Sequence, residues 1–202
     1  MASESVQLSS GRLTRADLMS LEQYSTARKE FRNRVLEHKR NRLVAIGPNV
    51  NWCFEDRLTI QYQVQEMLRV ERIFESAGIQ DEIDAYNPLI PDGSNWKATF
   101  LIEFPDADER KVKLAGLKGV EDRCWVQVAG FERVFAIADE DLERENEEKT
   151  SSVHFLRFEL GSDMAAQVKA GAQVSVGVDH ANYRYDVVLA GAQRDSLARD
   201  LA

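Results

Sequence analysis

Cysteine is scarce in this chain. Its two copies, Cys53 and Cys124, lie far apart, with no CxxC spacing and no histidine close by in sequence. That excludes a disulfide framework and a paired-cysteine zinc site, and leaves both thiols as small core residues. The 11 glycines are scattered as turn markers, and neither G-x-G-x-x-G nor G-x-x-x-x-G-K-[ST] occurs. The phosphate-cradling loops of nucleotide-binding folds are therefore missing. Without G-x-S-x-G there is no nucleophile elbow. Without H-E-x-x-H or Glu-x-x-His pairs there is neither a zincin nor a ferritin-like di-iron ligand set. No apolar run approaches the ~20 residues that cross a bilayer. Met1–Gly11 is serine-rich and lacks the basic and apolar regions of a secretion signal, so the cytoplasm is the expected location. Positive charge is also short. A net charge of −8 and a pI near 5.0 argue against general affinity for nucleic acid, which needs Lys and Arg to displace phosphate counterions.

What is present is an ordinary globular composition, 44% hydrophobic and 30% charged over 202 residues. A chain of this length buries roughly 70% of its unfolded surface and needs no disulfide or metal to fold. Residues 1–12 read as a disordered leader and 13–202 as one domain. Thr14 and Asp17 form a capping-box-like pair before Leu18, Leu21 and Tyr24 at helical spacing. A second amphipathic stretch runs from Arg28 to Asn41, with Phe31, Val35 and His38 on one stripe and seven Arg and Lys between Arg28 and Arg42 on the other. Leu43–Ile46 and Val50–Phe54 read as a hairpin. From Asp56 to Phe74 the apolar pattern fits strand and helix alike; nineteen residues without Gly or Pro decide for a helix, ended by Gly78. A short helix at 79–86 and a Pro- and Gly-marked loop at 87–95 follow.

Ala98–Phe104 reads as a strand, and Asp106 with Glu109 starts a helix to about Leu117. Cys124–Val128 and Val134–Ala138 form a hairpin, and Asp139–Lys149 an exposed, highly charged helix. Strands at 153–160 and 173–180 flank a helix at 162–170. Tyr183–Leu189 closes a second hairpin, and the tail from Gln193 is helical. Hairpin-linked strands with irregularly interspersed helices predict an α+β fold with a mainly antiparallel sheet, N-terminal helices and a single domain.

Two histidines draw attention. His154 is in phase with Leu156, Phe158 and Leu160, and His180 with Val174, Val176 and Val178, so each extends an apolar face of its strand. As antiparallel neighbours, the two strands would bring the imidazoles together as a ligand or metal site. Joined by a crossover helix, they would hold them at opposite ends. Two histidines alone fall short of the three or four ligands a transition metal takes, so further ligands have to come from elsewhere. A second candidate is the polar face of the 56–74 helix, where Gln61, Gln65, Glu66 and Arg69 form a stripe suited to hydrogen-bonding a partner or the 87–95 loop.

The strings FEDRLTIQYQVQEMLRVERIFE, EIDAYNPLIPDGSNWKATFLIEF and EEKTSSVHFLRFEL resemble an uncharacterised bacterial family, a conserved domain of unknown function whose members are about as long as this chain. The resemblance runs from about Leu13 to Leu189 and implies one single-domain family with no assigned residues, activity or cofactor. It also implies a setting among rubrerythrin-like and iron–sulfur redox proteins. The leading expectation is an accessory or binding protein acting with redox partners through a ligand or metal near His154 and His180. One alternative is a small enzyme using either histidine as general base in an apolar pocket. Another is a homodimerisation module in which the basic 28–42 helix meets the acidic 140–148 helix.

Overall fold

The computed structural model describes residues 11–141, 144, 146 and 148–202; the expected leader thus lies almost wholly outside the described residues. Thr14 and Asp17 do form their capping pair, but it closes only a 3-10 turn, Arg15–Asp17. Leu18 is extended, and a new start follows at Ser20. The Ser20 hydroxyl accepts from Gln23 N–H at 3.2 Å while Gln23 Oε1 accepts from Ser20 N–H at 3.0 Å, a reciprocal box that opens a helix. Helix α1 (Leu21–Lys39) then runs unbroken, so the two helices expected at 14–24 and 28–41 are one. Strands β1 (Leu43–Ile46) and β2 (Val50–Phe54) pair as the expected hairpin.

Helix α2 (Arg57–Glu71) is capped by Asp56, whose carboxylate accepts from Thr59 N–H. It stops at Arg72, which takes the left-handed conformation (φ 56°, ψ 46°) and donates its N–H to Leu68 O. The stop expected at Gly78 is therefore misplaced: Gly78 lies inside α3 (Ser76–Tyr86), where a Cβ would come 2.8 Å from Ile73 Cγ2. Glycine is needed there for close approach rather than for a turn.

Next come β3 (Asn95–Ile102), α4 (Ala107–Ala115), β4 (Cys124–Val128), β5 (Val134–Phe135), β6 (Ile137–Ala138) and β7 (Val153–Glu159). The chain ends with α5 (Ser162–Lys169), β8 (Val174–His180), β9 (Tyr183–Val188) and α6 (Gly191–Ala198). The strands make two sheets, ordered β1-β2-β3-β7-β6 and β5-β4-β8-β9, and every pairing is antiparallel. The result is a single-domain α+β fold. No described helix is long and apolar enough to cross a membrane.

Two expectations fail between residues 134 and 149. The single strand at 134–138 is two: β5 pairs with β4, and β6 with β7 of the other sheet. The chain changes sheets at Ala136, whose N–H is held by Cys124 O at 2.9 Å. The charged helix at 139–149 is absent among the described residues; residues 142, 143, 145 and 147 lie outside the description. Local side-chain bonds take its place. Asp139 is left-handed (φ 48°), Arg144 folds back onto Asp139, and Asn146 Oδ1 accepts from the N–H groups of Glu148 and Lys149.

The inner faces of the two sheets share one core, in which Trp52, Phe100 and Phe158 face Val126, Val176 and Val178. β3 shows the cause in its alternation: Trp96, Ala98, Phe100 and Ile102 are buried, and the residues between them face the other way. On that outer face Glu55 fastens the sheet to α2, accepting from Thr99 Oγ1 at 2.6 Å and Thr59 Oγ1 at 2.5 Å. On the second sheet, Trp125 lies across Gly177, its register partner, and a Cβ at Gly177 would stand 2.5 Å from Trp125 Cζ2.

Arg42, 1% exposed, joins three parts of the chain. Its Nε donates to Phe54 O (2.8 Å) and its Nη2 to Glu55 O (2.9 Å), at the end of β2. Both terminal nitrogens reach Asp200, and Nη1 also reaches Ser196 Oγ at 3.3 Å. Trp96 Nε1 adds a bond to Leu197 O at 2.9 Å, so residues 196–200 are drawn into the sheet.

Arg42→Met should destabilise the protein by about 3–5 kcal/mol, since it strands a buried carboxylate and several carbonyls. The shift of the guanidinium chloride midpoint measures this, and a loss below about 1 kcal/mol would show the cage to be incidental. Gly177→Ala should cost about 1–3 kcal/mol by forcing Trp125 from its place. An unchanged thermal midpoint would show that the ring moves freely.

Candidate functional site

The polar stripe of α2 is spent inside the molecule. Gln61 Nε2 donates to Asp17 O at 2.6 Å, and Gln65, fully buried, accepts from Met19 N–H and donates to Met19 O. Glu66 accepts from Arg28 (2.8 and 2.9 Å), the Tyr24 hydroxyl (2.6 Å) and Arg69 (3.2 Å). Those donors, Arg28 foremost, hold its carboxyl down at about 2. Gln61, Gln65 and Glu66 therefore pin the segment 17–28 onto α2, with Arg69 steadying Glu66 from one turn along.

His180 and His154 both lie on inner sheet faces, as their phase predicts, but on different sheets. β7 and β8 are not neighbours, so the condition for a shared pair is not met, and the two rings have different hydrogen-bond partners. His180 is partly exposed at the β8–β9 turn. Its Nε2 donates to Lys118 O at 3.1 Å and its Nδ1 accepts from Asn182 N–H at 3.2 Å. Both ring nitrogens are thereby engaged.

His154 is 0% exposed and packs against Phe100, its register partner on β3. Asp139 Oδ2 accepts from its Nδ1 at 2.6 Å. Asp139 can do so because its left-handed backbone turns the chain back over β7, where Oδ1 also accepts from Phe155 N–H at 2.9 Å. Around Nε2 stand three oxygens: Thr150 Oγ1 and Ser151 O at 3.1 Å, and Glu121 Oε2 at 3.9 Å. A hydroxyl can donate, but a carbonyl and a carboxylate cannot. Thr150 can therefore satisfy a neutral Nε2 by donating to it, while the carbonyl and the carboxylate suit a cation at this position, a metal ion included. Glu121, Asp139 and His154 each offer a ligand atom, all within 4.8 Å of one another.

Thr150, His154 and Asp139 also have the connectivity of a nucleophile–base–acid relay. Thr150 is only 1% exposed, however, and a nucleophile must meet its substrate. Cys124 lies near these acids, but burial pushes its thiol well up and its Sγ donates to Val120 O, so it stays a protonated core residue. A cleft of about 560 Å³, lined by Arg110, Lys111, Arg144 and Lys149, has Thr150 and Ser151 in its wall. Those cations oppose entry of a bare divalent ion from that side.

The third histidine, in sequence, is only part of a helix stripe. His38, in the last turn of α1, lies on a cavity of about 460 Å³ beside Arg42, Asp56 and Asp200. Asp56 Oδ2 is 2.5 Å from His38 Nε2 and 3.5 Å from Arg42 Nη1. Burial would raise the Asp56 carboxyl, but the His38 hydrogen bond and the Arg42 charge outweigh it and hold it at about 2. Asp200 goes the other way, because burial and the Asp56 charge exceed the pull of Arg42 and push it up to about 6. Two carboxylates that share one guanidinium part in this way. Sequence spacing could not show this set, since Asp200 reaches Arg42 only through the fold.

Residues 12–201 match the model of a family described as "Protein of unknown function (DUF3501)". The chain is also similar to a novel protein of unknown function from Burkholderia pseudomallei K96243, known from a crystal structure. The identity is 50% and the TM-score 0.91, covering 95% of this chain and 100% of that one. No curated protein matches.

The raised Asp200 carboxyl has a signed consequence. The native state holds this proton more tightly than the unfolded chain does. The stability that it contributes is therefore complete below pH ~3.8 and is lost as pH rises through about 6. The advantage of the wild type over Asp200→Asn should accordingly shrink between pH 4 and 7, by no more than about 3 kcal/mol. Denaturant unfolding at each pH tests this, and an advantage that grows with pH would show Asp200 ionised throughout.

Proposed function

Because the chain belongs to the DUF3501 family, proteins of unknown function, we propose a role drawn from its own residues: it holds a divalent transition-metal ion at Nε2 of His154, as an accessory protein to redox partners in the cytoplasm. The observation that carries this reading is the division of labour on the imidazole. Nδ1 is fixed by the Asp139 carboxylate at 2.6 Å, while Nε2 looks onto Glu121, Thr150 Oγ1 and Ser151 O. Metal-binding histidines are oriented in this way, the far nitrogen donating to a carboxylate. Ligand atoms bound at about 2.1 Å lie roughly 3.0–3.4 Å from one another. The two 3.1 Å separations meet that range, and Glu121 needs to move by under about 1 Å to join it.

The donors would be one imidazole nitrogen and several oxygens, with no thiolate, a set suited to zinc, iron(II) or manganese and unsuited to copper(I). Asp139 would orient the ring, and Glu121, whose side chain is 12% exposed, is the ligand best placed to meet an ion arriving from solvent. Among these metals iron(II) agrees best with the rubrerythrin-like and iron–sulfur setting that the family resemblance implies.

Metal analysis of the purified chain, before and after reconstitution with iron(II), zinc or manganese, should find about one equivalent bound tightly enough to survive desalting. Glu121→Gln should lose the metal while unfolding at the midpoint of the metal-free wild type, and Asp139→Asn should weaken affinity about 10–100-fold. Less than about a tenth of an equivalent after reconstitution would end this reading.

A further inference from the structure

The cavity beside His38 shares no residue with the His154 site, and its charge is unbalanced. It opens between the last turn of α1, the first turn of α2, the Ile90–Pro91 loop, the end of α5 and residues 196–201. Its carboxylates are both engaged, Asp56 with His38 and Arg42, and Asp200 with Arg42. Arg57 is engaged as well, by Asp17 and by Gly11 O. Lys169 and Arg199 remain: neither makes an ion pair among the described residues, and Arg199 bonds only the Asp195 carbonyl. The lining therefore carries an excess of positive charge even when His38 is neutral, within a chain whose net charge is −8.

His38 supplies a second requirement. Asp56 accepts from its Nε2–H at 2.5 Å, and Nδ1 has no hydrogen-bond partner among the described residues; in the neutral ring Nδ1 carries the lone pair. An Asp-oriented imidazole with one bare nitrogen is an acceptor waiting for a donor. Asp56 is itself fixed as the N-cap of α2, and Arg42 is wholly enclosed, so the floor of the cavity is preorganised. Leu58, Ile90, Pro91 and Leu201 give it an apolar wall, and about 460 Å³ lies in the range of small-molecule sites.

We propose that this cavity binds a small aliphatic hydroxycarboxylic acid. The carboxylate lies against Lys169 and Arg199, the hydroxyl donates to His38 Nδ1, and the hydrocarbon part packs on Leu58 and Ile90. The cation excess selects an anion, the bare ring nitrogen selects a ligand with a donor, and the apolar wall selects a carbon chain over an inorganic ion.

The test uses the full chain stripped of metal by chelation, with 2-hydroxy-4-methylpentanoate, 4-methylpentanoate and inorganic phosphate as probes. Binding is read by calorimetry and by the ring-nitrogen shifts of His38. The hydroxy acid should bind and shift the His38 ring, and the acid without the hydroxyl should bind about tenfold more weakly or worse. The double variant Lys169→Glu/Arg199→Glu should weaken hydroxy-acid binding about tenfold or more with its thermal midpoint unchanged, because both side chains reach solvent. His38→Gln should remove the preference between the two acids. The proposal is overturned if the hydroxy acid at millimolar concentration leaves His38 unshifted, if binding ignores the double charge reversal, or if phosphate binds as well as the hydroxy acid.

Discussion

A guanidinium taken out of water must find acceptors for five N–H groups, and no single segment near Arg42 can supply them. The structure meets this demand by convergence. The end of β2 offers the carbonyls of Phe54 and Glu55, the start of α2 contributes the Asp56 charge, and residues 196–200 bring a hydroxyl and a second carboxylate. Each of these groups lies where it does partly because the others are there. A buried cation of this kind is weak evidence of net stability, but it discriminates strongly between arrangements, since any other packing leaves it unpaired. Its surroundings also become chemically distinctive, with unequal carboxylates and a histidine beside a cavity.

The His154 network follows a different logic in the same fold. The ring is enclosed by the sheet core on one side and by the returning chain at Asp139 on the other. Asp139, Thr150 and Ser151 thus close a polar pocket in an apolar core. Among the described residues nearby, Asp139, Arg144 and Asn146 make side-chain contacts in place of a helical ladder.

Most of the fold could be read from residue patterns, because burial is strongly periodic. The alternation from Trp96 to Ile102 marks a strand buried on one face, and the length between Asp56 and Phe74 settles a helix that period alone left open. The failures have local causes. Thr14 and Asp17 give a true cap signal that closes a turn instead of a helix. Arg72 adopts the backbone form usually left to glycine, which hid the end of α2, and the one-residue passage at Ala136 leaves no mark in an apolar run. Of the site residues, the phase of His154 and His180 was legible, whereas their assignment to separate sheets was not. Glu121 and Asp139 meet His154 through loop geometry, and Asp200 meets Arg42 across nearly the whole chain. Contacts of that range leave no spacing to recognise.

The position of residues 196–201 also bears on how the molecule is made. They are synthesised after both sheets, yet they complete the cage of Arg42 and accept the indole bond of Trp96. A nascent chain that already holds both sheets would have its central cation and a core tryptophan incompletely satisfied. It would remain open to rearrangement, or to capture by a chaperone, until residues 196–200 leave the ribosome.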